Sequence, residues 1–277
     1  MAPSKISGAH RIQQYGWIPD LPDQRDFLYA APTPIQRNIP PKMDLSDRCP
    51  PVYDQGPLGS CTANAIAAAI EFDQKRKVVP SRLFIYYNER DMEGTIDSDS
   101  GAQIRDGIKS VATQGAPPER LWPYDISKFK DKPSDAAFAA AKADLVVLYQ
   151  RLIQDLDTMR GCIASEFPFV FGFTVYQSFE SAAVAKSGQL DMPKFNEKRI
   201  GGHAVMAVGY DDSKRTFLIR NSWGTDWGKK GYFTIPYAYL TSSKLASDFW
   251  TIRSVDEGVS APKPGGRKSR KARQGRK

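Results

Sequence analysis

The sequence predicts an α+β protein of two lobes, with a helical first half and a second half of short antiparallel strands. Three observations predict it. The stretch Cys61 to Val79 contains no Gly or Pro, and its Ala65, Ile66, Ala69, Ile70 and Phe72 recur at roughly helical spacing. From "FPFVFGFTVY" onward the texture changes to short runs rich in β-branched and aromatic residues, bounded by Gly, Asp and Ser. A chain of 277 residues with 41% hydrophobic content can bury a substantial core.

In chain order, residues 1–38 read as a separate leader. Pro19, Pro22, Pro32, Pro34 and Pro40 discourage helix and favour an extended path. The aromatics Tyr15, Trp17, Phe27 and Tyr29 need a surface to lie on, so the leader is either a cover for a cleft or a stabilising arm. Next comes the helix from Cys61, ended by Pro80. "SRLFIYYNERDMEG" reads as a second helix and "AQIRDGIKSVATQG" as a third, ended by Gly115. An Ala-rich stretch, 134–143, precedes "DTMRGCIASE", a short helix carrying Cys162. "FPFVFGFTVY", "HAVMAVGYD", "RTFLIRN" and "GYFTI" read as strands, with turns at "DDSK" and "GKKG". The core is taken as 39–258 and a basic tail as 259–277.

Charge is concentrated in that tail. The formal net charge is +8, yet eight of the 39 basic residues lie in 261–277, leaving 31 against all 31 acids in the body. The body is neutral, which argues against nucleic-acid binding as its main activity. The tail has nothing to bury and is expected to be disordered, either simply solvated or holding an anionic partner such as RNA, phosphate or lipid headgroups. No apolar run approaches the roughly 18 residues a membrane span needs, and the N-terminal sequence lacks the apolar centre of a secretory signal. The expected location is cytoplasmic, or outside by a route without such a signal. Cys49, Cys61 and Cys162 are too few and scattered for a disulfide framework or zinc cluster, although Cys49 and Cys162 remain a conceivable pair.

The stretch "YDQGPLGSCTANAIAAAIEF" carries the chemistry. Its Gly- and Pro-rich loop delivers Cys61 to the first turn of a helix, where unpaired N–H groups and the helix dipole favour a thiolate. A cysteine elsewhere reads as a small buried hydrophobe; this address reads as a nucleophile. Nucleophilic attack needs a base, and only two histidines exist. His10 lies in the leader, whereas His203 opens the strand "HAVMAVGYD". His203 and Asn221 are equidistant from a turn centred near residue 212, which predicts that they face each other across a hairpin, bulges permitting. Trp223 and Trp227 are then available to shield the pair from water.

"QGPLGSC", "GGHAVMAVGY" and "RNSWGTDWGKKGY", in this order and separation, resemble the three signature blocks of the papain-like cysteine proteases, over about residues 39–253. The resemblance implies a helical left lobe and a barrel-like sheet in the right lobe, with the active-site cleft between them. It implies Cys61 as nucleophile, His203 as general base and acid, Asn221 as the residue orienting the imidazole, and Gln55 as an oxyanion donor beside the Cys61 N–H. It further implies that Gly101 pairs with extended substrate and that Trp223 covers the His203–Asn221 contact. Ala102, Gly202 and Ala204, with Gly201, are small and uncharged, implying room for a bulky apolar substrate side chain such as Leu, Val or Phe; Asp248 near that pocket would instead admit a basic one.

Three departures from the family pattern stand out. Leu58 replaces a cysteine that many secreted relatives use in a disulfide, Thr62 follows the nucleophile where Trp is usual, and the leader is short, similar to that of bacterial members. The implied activity is endopeptidase cleavage through a thioester, without metal or organic cofactor. The implied partners are a peptide or protein substrate and the chain's own leader as an intramolecular inhibitor, with release by acid expected if Asp20, Asp23 or Asp26 is paired with a basic residue of the body. An inactive peptide-binding scaffold and a deamidase or transamidase on the same scaffold are the alternatives.

Overall fold

The computed structural model describes residues 15–74, 78–142 and 147–254; His10 and the basic tail lie outside the described residues. The leader contributes strand β1 (Trp17–Ile18) and helix α1 (Thr33–Arg37), followed by β2 (Lys42–Asp44). The helical half consists of α2 (Cys61–Asp73), α3 (Arg82–Glu93), the short β3 (Ala102–Gln103), α4 (Ile104–Gln114) and α5 (Asp135–Ala141). Next come β4 (Val147–Arg151), α6 (Leu156–Ala164), β5 (Phe169–Tyr176) and α7 (Ala182–Ser187). The chain continues through β6 (Arg199–Asp211), β7 (Thr216–Arg220), β8 (Tyr232–Pro236), α8 (Tyr237–Leu240) and β9 (Ala246–Ser254).

Residues 61–72 of α2 are all buried, so this helix is a core rod rather than an amphipathic surface element. It stops at Asp73, short of the predicted Val79, with Gln74 in an extended conformation at its C-cap. The Ser81 hydroxyl caps α3 by accepting from the Phe84 N–H, and Gly94 closes it in the left-handed region. Gly115 ends α4 at φ +76°, where a Cβ would sit 1.8 Å from the Ala141 carbonyl oxygen.

The main sheet runs β4-β9-β5-β6-β7-β8, with β2 added to β6, and every pairing is antiparallel. It is an open sheet with edges at β4 and β8 rather than a closed barrel. Strands β4 and β9 escape the sequence pattern because Gln150, Arg151, Asp248 and Arg253 interrupt their apolar positions. Phe169, Phe171 and Phe173 of β5 form the centre of the core, with Phe171 stacked on Phe249 at 5.5 Å. Helix α2 packs on β6 and β9, which brings its first turn to the sheet. Cys49, Cys61 and Cys162 are all free thiols, so the conceivable Cys49–Cys162 bridge is absent.

The leader divides into two parts. Tyr29 and Ala31 are buried in the main core, and the Tyr29 N–H donates to the Arg151 carbonyl at 2.8 Å, adding a rung to the β4 edge. This part serves as a structural arm. Residues 15–20 instead cross to the junction of α2 and β6, with Trp17 and Asp20 buried. Phe27, between the two parts, is 76% exposed, so it does not lie on the body as the sequence pattern suggested. Tyr29→Ala is therefore expected to cost about 2–4 kcal/mol of unfolding free energy in denaturant titration, and Phe27→Ala less than about 0.5 kcal/mol.

Candidate active site

The loop Asp54–Ser60 sets Cys61 at the start of α2. Ser60 occupies the N-cap position, yet its side chain makes no capping bond; it meets the Tyr124 hydroxyl at 2.5 Å and accepts from Asn64 Nδ2 at 3.0 Å. The first-turn N–H groups are thus not consumed by their own cap. Arg82 braces this loop from α3, with two 2.7 Å bonds to Glu119, one of 3.2 Å to Asn64 Oδ1, and its guanidinium over the rings of Tyr53 and Tyr124. The Asp99 carboxylate accepts the Gly59 N–H at 3.0 Å and the Tyr86 hydroxyl. No sequence pattern pointed to this brace, whose contacts span 13 to 64 residues of sequence.

His203 stands on β6 opposite Phe173 of β5, fully buried. Its Nε2 lies 2.8 Å from Asn221 Oδ1. The predicted contact is therefore present, although the predicted register is not. The β6–β7 pairing runs Asp211↔Thr216 to Met206↔Arg220 with a shift between Ala207 and Gly209, which centres the turn one to two residues later than expected. Asn221 reaches His203 because β7 ends at Arg220 and the chain turns away, with the Asn221 N–H donating to the Gly231 carbonyl at 2.9 Å. The Trp223 ring lies 5.1 Å from the imidazole, and Trp227 packs edge-on to Trp223 at 5.1 Å. Asn221 is 1% exposed beneath this cover.

Gln55 is fully buried and doubly anchored. Its Oε1 accepts from the Ser222 hydroxyl at 2.6 Å, and its Nε2 donates to the Leu58 carbonyl at 2.9 Å. The N–H groups of Ala204, Gly16 and Thr62 reach the Cys61 sulfur and pull its pKa down, but burial outweighs them and pushes it up to about 12. The Ala204 N–H thus ties the start of α2 to β6, the strand that carries His203.

Gly16 belongs to the leader, whose residues 15–20 lie against this junction. β1 pairs parallel with β3, Trp17 opposite Ala102, and the Ala102 N–H donates to the Gly16 carbonyl at 2.7 Å. A Cβ on Gly16 would lie 1.6 Å from the Gly59 carbonyl oxygen, and one on Gly101 would lie 2.1 Å from the Gly16 carbonyl oxygen. These glycines permit backbone to lie directly on backbone. The Tyr15 ring stands edge-on to His203 at 6.2 Å and its hydroxyl donates to Glu180 at 2.6 Å. The Trp17 indole lies against Gly172 and Gly202 and donates to Asp248 Oδ2 at 3.2 Å. The residues singled out by sequence, Gln55, Cys61, Gly101, Ala102, Gly202, His203, Ala204, Asn221 and Trp223, are brought together where the loop before α2, β3, the middle of β6 and the segment after β7 meet.

The conditional pairing of leader carboxylates with basic residues of the body is met at Asp26, although sequence did not identify the partners Arg105 and Arg151 or the part played by Trp250. The Asp20 side chain accepts from the Arg105 N–H at 3.1 Å and from Trp250 Nε1 at 2.9 Å, while its own N–H donates to Asp248 Oδ2 at 2.8 Å. Arg151 binds Asp248 Oδ1 and Asp26 at 3.2 Å each, and Arg105 binds Asp26 at 2.5 Å. Burial beside Asp248 raises the Asp20 carboxyl to about 6. Among the described residues no group of three or more His, Cys, Asp or Glu is arranged to hold a metal, and no helix is long and apolar enough to cross a membrane.

Comparison with known proteins places this geometry. An uncharacterized peptidase C1-like protein of Acanthamoeba polyphaga mimivirus is 43% identical over 89% of each chain. Chymopapain of Carica papaya is 29% identical over 77% of this chain and 58% of its own length. Among solved structures, xylellain, a cysteine protease from Xylella fastidiosa, superposes with a TM-score of 0.81 at 46% identity, covering 87% of this chain and 96% of that one. The digestive procathepsin L 3 of Tenebrio molitor shares the fold at 15% identity and TM-score 0.64, covering 88% and 77% of the two chains. Residues 39–250 match the family described as papain family cysteine protease, and with the relatives above this establishes that the chain belongs to the papain family of cysteine proteases.

Proposed function

We propose that the chain is an endopeptidase acting through a Cys61 thiolate and His203, held inactive by its own residues 15–20. The observation that carries the catalytic reading is the buried 2.8 Å bond between His203 Nε2 and Asn221 Oδ1. With Nε2 so engaged, proton exchange with Cys61 falls to Nδ1. The thiolate attacks the peptide carbonyl carbon, and the oxyanion receives the Cys61 N–H and the Gln55 Nε2 hydrogen that does not go to Leu58. His203 passes its proton to the leaving amine. Water then gives a proton to His203 and attacks the thioester, releasing the acid and restoring the thiol. Gly101, Ala102, Gly202 and Ala204 border the peptide, and Trp223 keeps water off the His203–Asn221 bond.

The leader blocks the site without serving as substrate. A backbone N–H of Gly16 lowers the pKa of the sulfur, and the Gly16 carbonyl accepts the Ala102 N–H at 2.7 Å. Tethering gives it an effective concentration on the order of millimolar, and burial keeps the thiol neutral. The tail at 261–277 stays a candidate for an anionic partner, tested by salt-sensitive binding that is lost on its removal.

The acid release expected from sequence reverses for Asp20. Its pKa is raised from the ordinary 3.8 to about 6 in the docked leader, so docking binds a proton and is strengthened by acid. That contribution is fully present below about pH 4 and is lost as pH rises through about 6. The facing groups agree in sign: Asp248 is raised by burial, and Glu93 of α3 is raised to about 7, partly by Asp20. Arg151 and Arg105 supply the opposing charge, shared with Asp26, while Asp23 is tied to Arg25 within the leader.

Two predictions result, both using full-length Gly16→Val, whose added side chain collides with Gly59 and unseats the leader. In that background Cys61→Ala and His203→Ala should each lower kcat/KM for a fluorogenic peptide by at least about a thousandfold, and Asn221→Ala by about ten- to a hundredfold. A Cys61→Ala protein that still cleaves at full rate would end the catalytic assignment. Secondly, protection of Cys61 from iodoacetamide in the natural chain, relative to Gly16→Val at the same pH, should weaken about tenfold or more between about pH 5 and pH 8. Protection that strengthens over this range would contradict the assigned sign.

A further inference from the structure

Two stretches of backbone from different parts of the chain close on Gly16. Gly59 belongs to the loop before α2 and Gly101 to the loop between α3 and β3. A Cβ on Gly16 would meet the Gly59 carbonyl oxygen, and one on Gly101 would meet the Gly16 carbonyl oxygen, so the two stretches admit a bare backbone and nothing wider. Neither glycine lies in a helix or strand that would fix its place. No disulfide ties the stretches together, since all three cysteines are free thiols.

One carboxylate and one hydroxyl make the tie instead. Both Asp99 oxygens accept the Gly59 N–H, at 3.0 Å each, and the Tyr86 hydroxyl donates to Asp99 Oδ1 while accepting the Gly101 N–H at 3.3 Å. A chain of bonds therefore runs from Gly59 through Asp99 and Tyr86 to Gly101. Burial, with the Asp99 carboxylate beside it, raises the Tyr86 hydroxyl above its ordinary pKa, so it remains a donor. Tyr86 is itself locked on α3. The Arg90 guanidinium lies 4.1 Å over its ring, and Arg90 donates to the carbonyls of Tyr86 at 3.1 Å, Ile96 at 2.7 Å and Ser98 at 3.1 Å, which fastens the loop that carries Asp99 and Gly101.

We infer that Asp99 and Tyr86 are positioning residues that hold Gly59 and Gly101 at the separation of one extended backbone, and so govern how tightly a peptide or the leader is seated. For a peptide the inference rests on the site being one that cleaves peptides; for the leader it rests on the contacts of Gly16. The bonds of the pair run to the two backbones, while Ser60 and Asn64, on either side of Cys61, are held separately by Tyr124 and Arg82. Loosening the tie thus spares the nucleophile. An occupant's backbone uses the gap equally in its ground and transition states, so the loss falls on binding rather than on turnover. Side chains of the occupant take no part, which makes the effect independent of peptide sequence. A small acyl ester or alkylating agent, having no extended backbone, does not use the gap at all.

The test uses full-length chains carrying Asp99→Asn, which turns one acceptor oxygen into a donor, or Tyr86→Phe, which removes one oxygen and keeps the ring beneath Arg90, so that misfolding of the first variant leaves the second to decide. In the Gly16→Val background each should raise KM about tenfold for two fluorogenic peptides of unrelated sequence, with kcat, turnover of p-nitrophenyl acetate and alkylation of Cys61 by iodoacetamide all within about twofold. In the natural chain each should speed alkylation of Cys61 by iodoacetamide about tenfold, because the leader is seated less tightly. A peptide KM that stays within twofold overturns the inference, and so does an equal loss of peptide and ester turnover, which marks general disruption of the site. If Gly16→Val cleaves no peptide, the natural chain decides: faster alkylation keeps the positioning pair while the catalytic reading fails, and unchanged alkylation overturns the pair.

Discussion

The Cys61 sulfur sits where two opposing influences meet. The first turn of α2 and the N–H groups of Ala204, Gly16 and Thr62 favour a thiolate, while removal of water favours the thiol and prevails, pushing the pKa up to about 12. The sulfur is fully buried, and beside it backbone lies directly on backbone, Gly16 against Gly59 and Gly101. In the proposed reading, one contact both excludes substrate and removes the charge of the nucleophile.

The rest of the molecule maintains that junction. Arg82, Glu119, Tyr124, Asn64 and Asp99 hold the loop before Cys61 from the helical side. Strand β6 carries Gly202, His203 and Ala204 to it from the sheet side, and the segment after β7 brings Asn221, Ser222 and Trp223. Ser222 links the halves, since its hydroxyl binds Gln55 Oε1 and its carbonyl accepts the Gln55 N–H at 2.9 Å. The leader uses the same division of labour. Tyr29 and Ala31 anchor it in the core, whereas residues 15–20 rest on glycines and a titratable cluster, a fastening that can yield without unfolding the arm.

Local signals made most of the site legible. The Gly- and Pro-rich loop running into an unbroken helix marked Cys61, and the scarcity of histidine marked His203. The Asn221 partnership was found through a hairpin whose register proved one to two residues off; the contact arises from the chain leaving β7, not from strand pairing. Interactions of long sequence separation left no pattern to read. Asp20 meets Asp248 across 228 residues, and Tyr15 meets Glu180 across 165. Strands β4 and β9 were obscured because charged residues needed for that cluster, Arg151 and Asp248, interrupt their alternation. The leader's aromatics signalled a surface to lie on, and three of the four lie on one, but composition alone did not distinguish Tyr29 of the arm from Trp17 of the cleft segment.

The central claim is that the seated leader keeps Cys61 as a neutral thiol and that its departure creates the thiolate. Ultraviolet thiolate absorbance, titrated from acid to alkaline pH in the natural chain and in full-length Gly16→Val, with Cys61→Ala subtracted in each, measures this directly. The account predicts that thiolate absorbance from Cys61 is missing at neutral pH in the natural chain and present in Gly16→Val. Equal Cys61 thiolate absorbance at neutral pH in both folded proteins would contradict it.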